Sequence, residues 1–319
     1  FGSDSDSFDE WEDVIPLSKE TEDNFIIRIG TNEEERQKRS RRLQIRRKRL
    51  AIRNLSLVVY IAHGYKRNEL LNSKRVHKAL KLVFPVKMWQ RTKQFWKSIK
   101  KTTDKDLLRN ELQYILKYVM KWIVHNFKVT SNGLRVLGYL PEGADGNDHF
   151  PNTAKEILGL LNFTKEVKNL QNNRDFGAQM VTALLRMLKF DARMIFSLPT
   201  LPLKDIFQPP LDHEKLSRNM DNDLLYPYFW TEVVNPLNNS EIFIVEAMCF
   251  HNPDHKLIEL SRFNNGSGKS LFTDVYYPVK DQFNQMNMEF VLAFTPQNTV
   301  FDVSPRYMPD TAYKFFKTI

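Results

Sequence analysis

Residues 172–198 read NNRDFGAQMVTALLRMLKFDARMIFSL. Ala178, Val181, Leu184, Leu185 and Leu188 recur at steps of three and four, which puts one apolar face on an α-helix. Asn172, Asn173 and Asp175 each carry a side chain able to accept from the free amides at its start. Asp191 marks a turn, and residues 194–198 form an apolar run of the length of a buried strand. Further on, YFWTEV at 228–233 and IFIVE at 242–246 flank a turn at 235–240 and predict two more strands.

This helix–turn–strand arrangement resembles the core of transglutaminase-like (papain-like) folds, the group that includes the peptide N-glycanases. In those proteins the helix opens Gly-x-Cys-x-x-x-Ala and closes on Ala-Arg. A later strand carries His-x-Trp-x-Glu-Val, and the next strand an Asp. Ala178 takes the Ala place, and Ala192 and Arg193 the terminal pair; Trp230, Glu232 and Val233 fit the strand motif. Arg174 then stands where the nucleophilic Cys would be, Tyr228 at the His position and Glu246 at the Asp position. Catalysis of that type needs a thiolate, which a helix N-terminus stabilises, a base to take its proton and an acid to orient the base. Arginine offers no nucleophile, and neutral tyrosine is no base at pH 7. The single cysteine, Cys249, follows the Glu246 strand instead of opening the helix. The resemblance implies an α+β fold with an N-terminal helical lobe and an antiparallel sheet. The substitutions imply no catalysis and argue against the alternative, an active thiol enzyme of the peptide N-glycanase type.

At 319 residues and 42% apolar composition, the chain can bury one large core or two modest ones. No apolar run approaches a membrane span, so no membrane partner is expected. The chain opens on Phe1 and reads as a fragment. A lone cysteine excludes an intrachain disulfide and suits a reducing compartment, cytosol or nucleus. The net charge of +9 conceals an asymmetry. Residues 1–35 hold 12 acidic and 2 basic side chains, whereas residues 36–53 hold 10 basic and no acidic ones. Residues 54–128 add 17 basic against 4 acidic, and the remainder is slightly acidic with 18 against 22. Positive charge gathered in one lobe is the footprint of a polyanion-binding surface. A solvated helix or a nuclear-import signal is the plainer account of the 36–53 run.

Residues 1–32, acidic and serine-rich, predict a disordered tail, in which Trp11, Val14 and Ile15 read either as a short docking motif or as part of a solvated tail. Residues 33–64 predict one long helix, with three glutamates at its N-terminal dipole end, Gly64 at its C-terminal end, and its apolar half at 50–62 buried. Residues 73–84 predict a second helix, and Pro85 opens a third that runs to Lys101. Thr103 and Asp106 start a fourth in capping-box fashion, with Leu108, Leu112, Ile115, Val119 and Trp122 on its buried face. The tryptophans sit at core spacing. Residues 130–152 read as loop, 153–170 as one or two helices, and 199–225 as a long surface linker. Residues 271–277, 289–294 and 299–303 are further strand candidates.

Three segments also resemble the xeroderma pigmentosum group C family of DNA-damage recognition proteins. The first is RSRRLQIRRKRLAIRNLSLVVYIAHGYKRNELLN, with Arg67 and Asn68; the second is the degenerate core; the third is the closing Asp302, Val303, Ser304, Arg306, Tyr307 motif. In that family the closing motif leads into β-hairpin domains that meet DNA lesions. The resemblance implies a transglutaminase-like domain at 33–303 and the start of a junction to a first hairpin domain at 304–319. It implies a nuclear role in nucleotide excision repair, with double-stranded DNA and a ubiquitin-like, UBA-containing escort protein as partners. A repair–transcription factor would meet the acidic tail. Arg41, Arg42, Arg46, Arg47 and Arg49, with Arg306 at the junction, are the residues expected to face phosphates. The competing reading is a pure protein–protein scaffold on a dead fold.

Other signals carry less. Residues 265–270, NGSGKS, end like a P-loop, but Phe263 stands where its first glycine should be, so a surface turn is expected. Cys249, His251 and His255 look metal-like, but Pro253 breaks the helix that would align the histidines, and no second ligand pair is evident. His63, His77 and His125 fall in helices and read as packed or surface groups. No metal and no cofactor is expected.

Overall fold

A computed structural model describes residues 33–102, 104–131, 133–134, 139, 159–201, 227–248, 258–265, 269–272 and 288–307, and the chain divides into two compact units, Phe1–Ile45 and Arg46–Ile319. The first unit is described only where α1 (Glu33–Leu71) begins, and there each described side chain is exposed. The acidic segment at 1–32 lies outside the described residues.

In the second unit, α1 continues through residue 64, seven residues past its expected end. Gly64 has a different purpose from the one expected of it. A Cβ at Gly64 would lie 2.3 Å from Cζ of Phe294, so the glycine lets the helix lie directly on that ring. The expectation of a buried 50–62 stretch is also corrected. Leu57, Tyr60 and Ile61 pack on the core, while Leu55, Val58 and Val59 are 65%, 64% and 58% exposed. Only one side of α1 meets the sheet, at steps of three and four, so the aliphatic residues between those steps face outward.

Three helices follow. Ser73 caps α2 (Lys74–Val83) through Arg75 N, and α3 (Val86–Ser98) starts after Pro85. For α4 (Lys105–Asn126) the cap is Asp104, one residue from the expected Thr103: its Oδ1 accepts from Asp106 N and Leu107 N at 3.1 and 3.0 Å. A carboxylate there also meets the positive end of the helix dipole, which a hydroxyl does not. The expected apolar face of α4 is buried, and a large side chain so placed contributes about 1.5–3 kcal/mol. Strand β1 (Lys128–Val129) pairs in parallel with β2 (Gln171–Asn172), and α5 (Leu160–Asn169) lies between them in sequence. The central helix α6 (Arg174–Met187) is buried from Arg174 to Arg186.

Seven antiparallel strands form the sheet: β3 (Ala192–Pro199), β4 (Phe229–Val234), β5 (Glu241–Val245), β6 (Ile258–Asn265), β7 (Lys269–Phe272), β8 (Met288–Phe294) and β9 (Val300–Asp302), in the order β7-β6-β5-β4-β3-β8-β9. Thr182 of α6 and Thr231 of β4 share a hydrogen bond of 2.7 Å, which fixes the face carrying Phe196, Phe229 and Thr231 against α6. Phe196 stacks on Phe229 with ring centroids 4.1 Å apart. Trp230 and Glu232 alternate onto the opposite face.

The β6–β7 hairpin, with Asn265 opposite Lys269, occupies the P-loop-like stretch; residues 266–268 are outside the described set. Strand β6 has no counterpart among the expected strands. Also outside are Cys249, His251 and His255, residues 202–226 of the expected linker, and most of the expected loop at 130–152. Among the described residues no helix is long and apolar enough to cross a membrane, and no cluster of metal-ligating side chains occurs.

Candidate functional site

Helix α6 begins where the sequence places the reactive position. Asn173 caps it, its Oδ1 accepting from Phe176 N at 2.8 Å, while Asn172 accepts from Asn173 N and from Ser131 Oγ. Asp175, expected as a cap, does something else. Its Oδ1 accepts from Tyr228 N and its Oδ2 from Leu134 N, both at 2.7 Å, so one carboxylate ties the helix start to the entry of β4 and to the 133–134 segment. An Asp in the first turn of a helix was legible; its long-range partners were not.

Arg174 is the first helical residue and only 7% exposed. Its Nη1 donates to Met248 O at 3.2 Å, and Met248 N donates in turn to Glu246 Oε1. Met248 thus links Arg174 to Glu246, while Asp175 links the same helix turn to Tyr228. The three positions read from the sequence come together at one end of α6 through these two neighbours. Gly177, one turn in, makes room: a Cβ there would lie 2.3 Å from Met248 Sδ and 3.1 Å from Phe127.

A second buried cluster lies on the opposite face of the sheet. Ser304–Tyr307 forms a short helical turn, α7, whose Ser304 Oγ accepts from Val291 N at 2.8 Å. Arg306 Nη1 donates to both carboxylate oxygens of Glu232, and Tyr307 Oη donates to Glu232 Oε1. Burial pushes the Tyr307 phenol well above its ordinary value, the Glu232 charge adds to this, and Arg306 opposes it. Arg306, expected to face DNA, turns inward instead, with 14% of its side chain exposed and Glu232 as its counter-ion. The motif reads as a recognition element in sequence because its partner lies 74 residues away.

A third cluster fastens α1. Arg186 is 6% exposed; it donates to Ala192 O (2.8 Å), Asn72 Oδ1 (2.9 Å) and Phe294 O (3.0 Å). Burial lowers its pKa to about 10, with Asp191 acting the other way, so it stays charged at neutral pH. Asn68, fully buried, donates to Thr295 O and Asn298 Oδ1 at 2.9 and 2.7 Å, in the turn between β8 and β9.

The basic residues of α1 are exposed at Arg41, Arg42, Arg46 and Arg47. Arg49 is half-buried, with its guanidinium 4.8 Å from the centre of the Tyr139 ring.

A helix buried at the middle of the core, its first turn set against the ends of β4 and β5, and an antiparallel sheet define a transglutaminase-like α+β domain. Residues 201–319 match the Rad4 transglutaminase-like domain, and 242 residues are 25% identical to DNA repair protein RAD34 of Saccharomyces cerevisiae, covering 65% of this chain and 34% of that protein. These matches make the chain similar to the Rad4/xeroderma pigmentosum group C proteins. It is also similar to DNA repair protein rhp41 of Schizosaccharomyces pombe, 29% identical over 187 residues, or 56% of this chain and 27% of that one. It therefore spans about a third or less of the length of these relatives. The fold matches Rad4–Rad23 crosslinked to undamaged DNA, with a TM-score of 0.58, 21% identity, and coverage of 82% of this chain and 49% of that chain. It matches Rad4–Rad23 bound to a 6-4 photoproduct lesion with a TM-score of 0.57 at 18% identity, covering 86% and 54%.

Proposed function

We propose that this chain is a non-catalytic DNA-binding and scaffold region of a nuclear nucleotide-excision-repair protein. The observation that carries the reading is the exposed arginine run of α1 on a transglutaminase-like domain whose relatives are DNA repair proteins. Arg41, Arg42, Arg46 and Arg47 contact duplex phosphates and supply affinity without sequence information. Arg49, held over Tyr139, contributes less. Arg174 and Tyr228 stand at the Cys and His positions of the fold, and among the described residues the start of α6 carries neither a thiol nor a histidine, which speaks against a thiol enzyme. A pure scaffold differs from this reading in having no duplex affinity.

The escort partner docks on the outward aliphatic side of α1. Ile52, Leu55 and Val59 are exposed at helical spacing, and such a stripe is the usual mark of a protein contact. Rad4 occurs with Rad23 in the matching structures. A repair–transcription factor is reached through the acidic segment at 1–32.

The test is fluorescence-anisotropy titration of a duplex over a salt series. Replacing Arg41, Arg42, Arg46 and Arg47 by Ala should lower the salt slope by roughly two to four units on any sequence. An unchanged slope and affinity would leave nuclear import or solvation as the role of the run. For the escort, Leu55→Glu should abolish co-purification with a Rad23-type protein while duplex affinity stays unchanged.

A further inference from the structure

A cleft of about 280 Å³ opens between α2, α3 and the C-terminal end of α6. Lys78, Lys81, Lys93 and Lys189 stand exposed around it, and among the described residues no carboxylate lines it. Its floor is apolar: Trp89, Trp96, Met187 and Leu188. Trp96 Nε1 is already committed to Leu188 O at 2.9 Å, and Lys189 is held at a positive φ of 73° as α6 ends. The ammonium groups of Lys81 and Lys93 lie 4.4 and 3.5 Å from the centre of the Trp89 ring. Burial holds the neighbouring His77 imidazole below its ordinary value; its hydrogen bond with Leu71 O opposes this, and the charges of Lys189 and Arg186 add to it.

We propose that this cleft docks an acidic peptide segment of a partner protein that carries an apolar anchor residue. The rim supplies four cations for carboxylates, and the floor takes the anchor. The surface continues past the cleft. Lys78 also lines the adjoining groove between α2 and α5, where Leu82 and Leu161 are 77% and 63% exposed among Arg75, Lys165 and Lys168. A peptide crossing α2 at Lys78 would find the same alternation of cation and apolar ground on both sides. Charge complementarity and this alternation favour a peptide over nucleic acid. A duplex carries its phosphates on a convex surface that a concave cleft of this size cannot seat. Single strands are held by bases stacked on open aromatic faces, and here lysine ammoniums occupy the Trp89 ring. The inference is independent of the duplex-binding arginines of α1.

The test uses the full chain and three fluorescein-labelled probes: a 14-residue peptide of alternating Glu and Asp with one Trp and one Leu, the same peptide with both apolar residues replaced by Ser, and oligo(dT) of equal length. The anchored peptide should bind at least tenfold tighter than the Ser version. The double variant Lys81→Glu, Lys93→Glu should weaken it tenfold or more, with an unchanged melting temperature and less than a twofold change in duplex affinity. Leu82→Ala, which leaves every charge in place, should weaken it severalfold. Equal binding of the two peptides, or no effect of the double variant, would overturn the proposal. Tighter binding of oligo(dT) than of the anchored peptide would overturn it in favour of a single-stranded nucleic acid site.

Discussion

The hydroxyl of Tyr307 donates to the carboxylate of Glu232, 75 residues earlier in the chain, and both side chains are fully buried. The motif that closes the sequence and the motif that carries the strand after the central helix are therefore two halves of one polar cluster. Arg306 completes it, and the Trp230 ring meets Tyr307 edge-on at 5.0 Å. Tyr307→Phe should cost about 1–3 kcal/mol, because it leaves a buried carboxylate short of a donor. Glu232→Ala should cost more, about 3–5 kcal/mol, since it removes the counter-ion of the largely buried Arg306. Urea denaturation followed by far-UV circular dichroism measures both; equal losses would mean that Arg306 reaches water when its partner is gone.

Gly64 sits inside a helix, where alanine would ordinarily add about 1 kcal/mol of stability. Here the added methyl meets a fully buried Phe294 ring. Gly64→Ala should therefore destabilise by about 1–2 kcal/mol net. The companion Gly64→Ala, Phe294→Leu variant should recover part of that loss in the same melt.

His63 packs against the stacked pair Phe196 and Phe229, and burial, with Arg67 nearby, lowers its pKa to about 4. The unfolded imidazole titrates near 6.5. Above that pH the ring is neutral in both states, and its contribution is complete. As pH falls towards 4 the unfolded chain takes up a proton that the native one does not, so stability declines through this window and levels off below it. The loss should be about 1–2 kcal/mol, after allowance for partial solvent access. His63→Gln should flatten the stability profile between pH 6.5 and 4; an unaltered profile would assign the decline to other groups.

Arg174→Cys restores a thiol at the helix start, with Tyr228 and not a histidine at the base position. Turnover of a glycopeptide should remain at background for both the parent chain and the variant, measured by mass spectrometry of the released glycan. Measurable release by either would return the fold to the thiol enzymes.

Duplex binding by this chain should discriminate poorly between intact and distorted DNA. Phosphate contacts carry no base information, and sensing distortion requires groups that enter the stack or respond to its deformability. The large aromatic side chains of Trp122, Trp230 and Tyr307 are buried and offer no wedge. Competition at fixed salt between a matched duplex and one with a three-base mismatch bubble should give a ratio below tenfold. A larger ratio, above about 1.4 kcal/mol, would locate lesion sensing in this chain.

The central helix, its turn and strands β3, β4 and β5 were legible because their apolar periodicity is local and strong. Arg174, Tyr228 and Glu246 could be singled out by local motif, whereas the residues that link them, Asp175 and Met248, could not. A hydrogen bond between residues far apart leaves no periodic trace. The same reason explains Arg306, whose type suggests phosphate and whose partner is a strand carboxylate. Gly64 was misread because a glycine that ends a helix and one that lets a ring approach look alike in sequence. Strand β6 was missed because SRFNN, five of its eight residues, alternates poorly. The side of α1 left in water could not be told from the side on the sheet, since both are aliphatic.

The surroundings of Arg186 also set the order in which the chain can fold. Its guanidinium is satisfied by Ala192 nearby, by Asn72, 114 residues before it, and by Phe294, 108 residues after it. A buried cation with part of its partners missing is strongly disfavoured. Until β8 has been synthesised, Arg186 is better left in water, and α6 cannot settle into its final seat. Closing loops of that length is slow, so a nascent chain halted before residue 288 would remain open at its centre, exposed to chaperones and proteases until its last strands emerge from the ribosome.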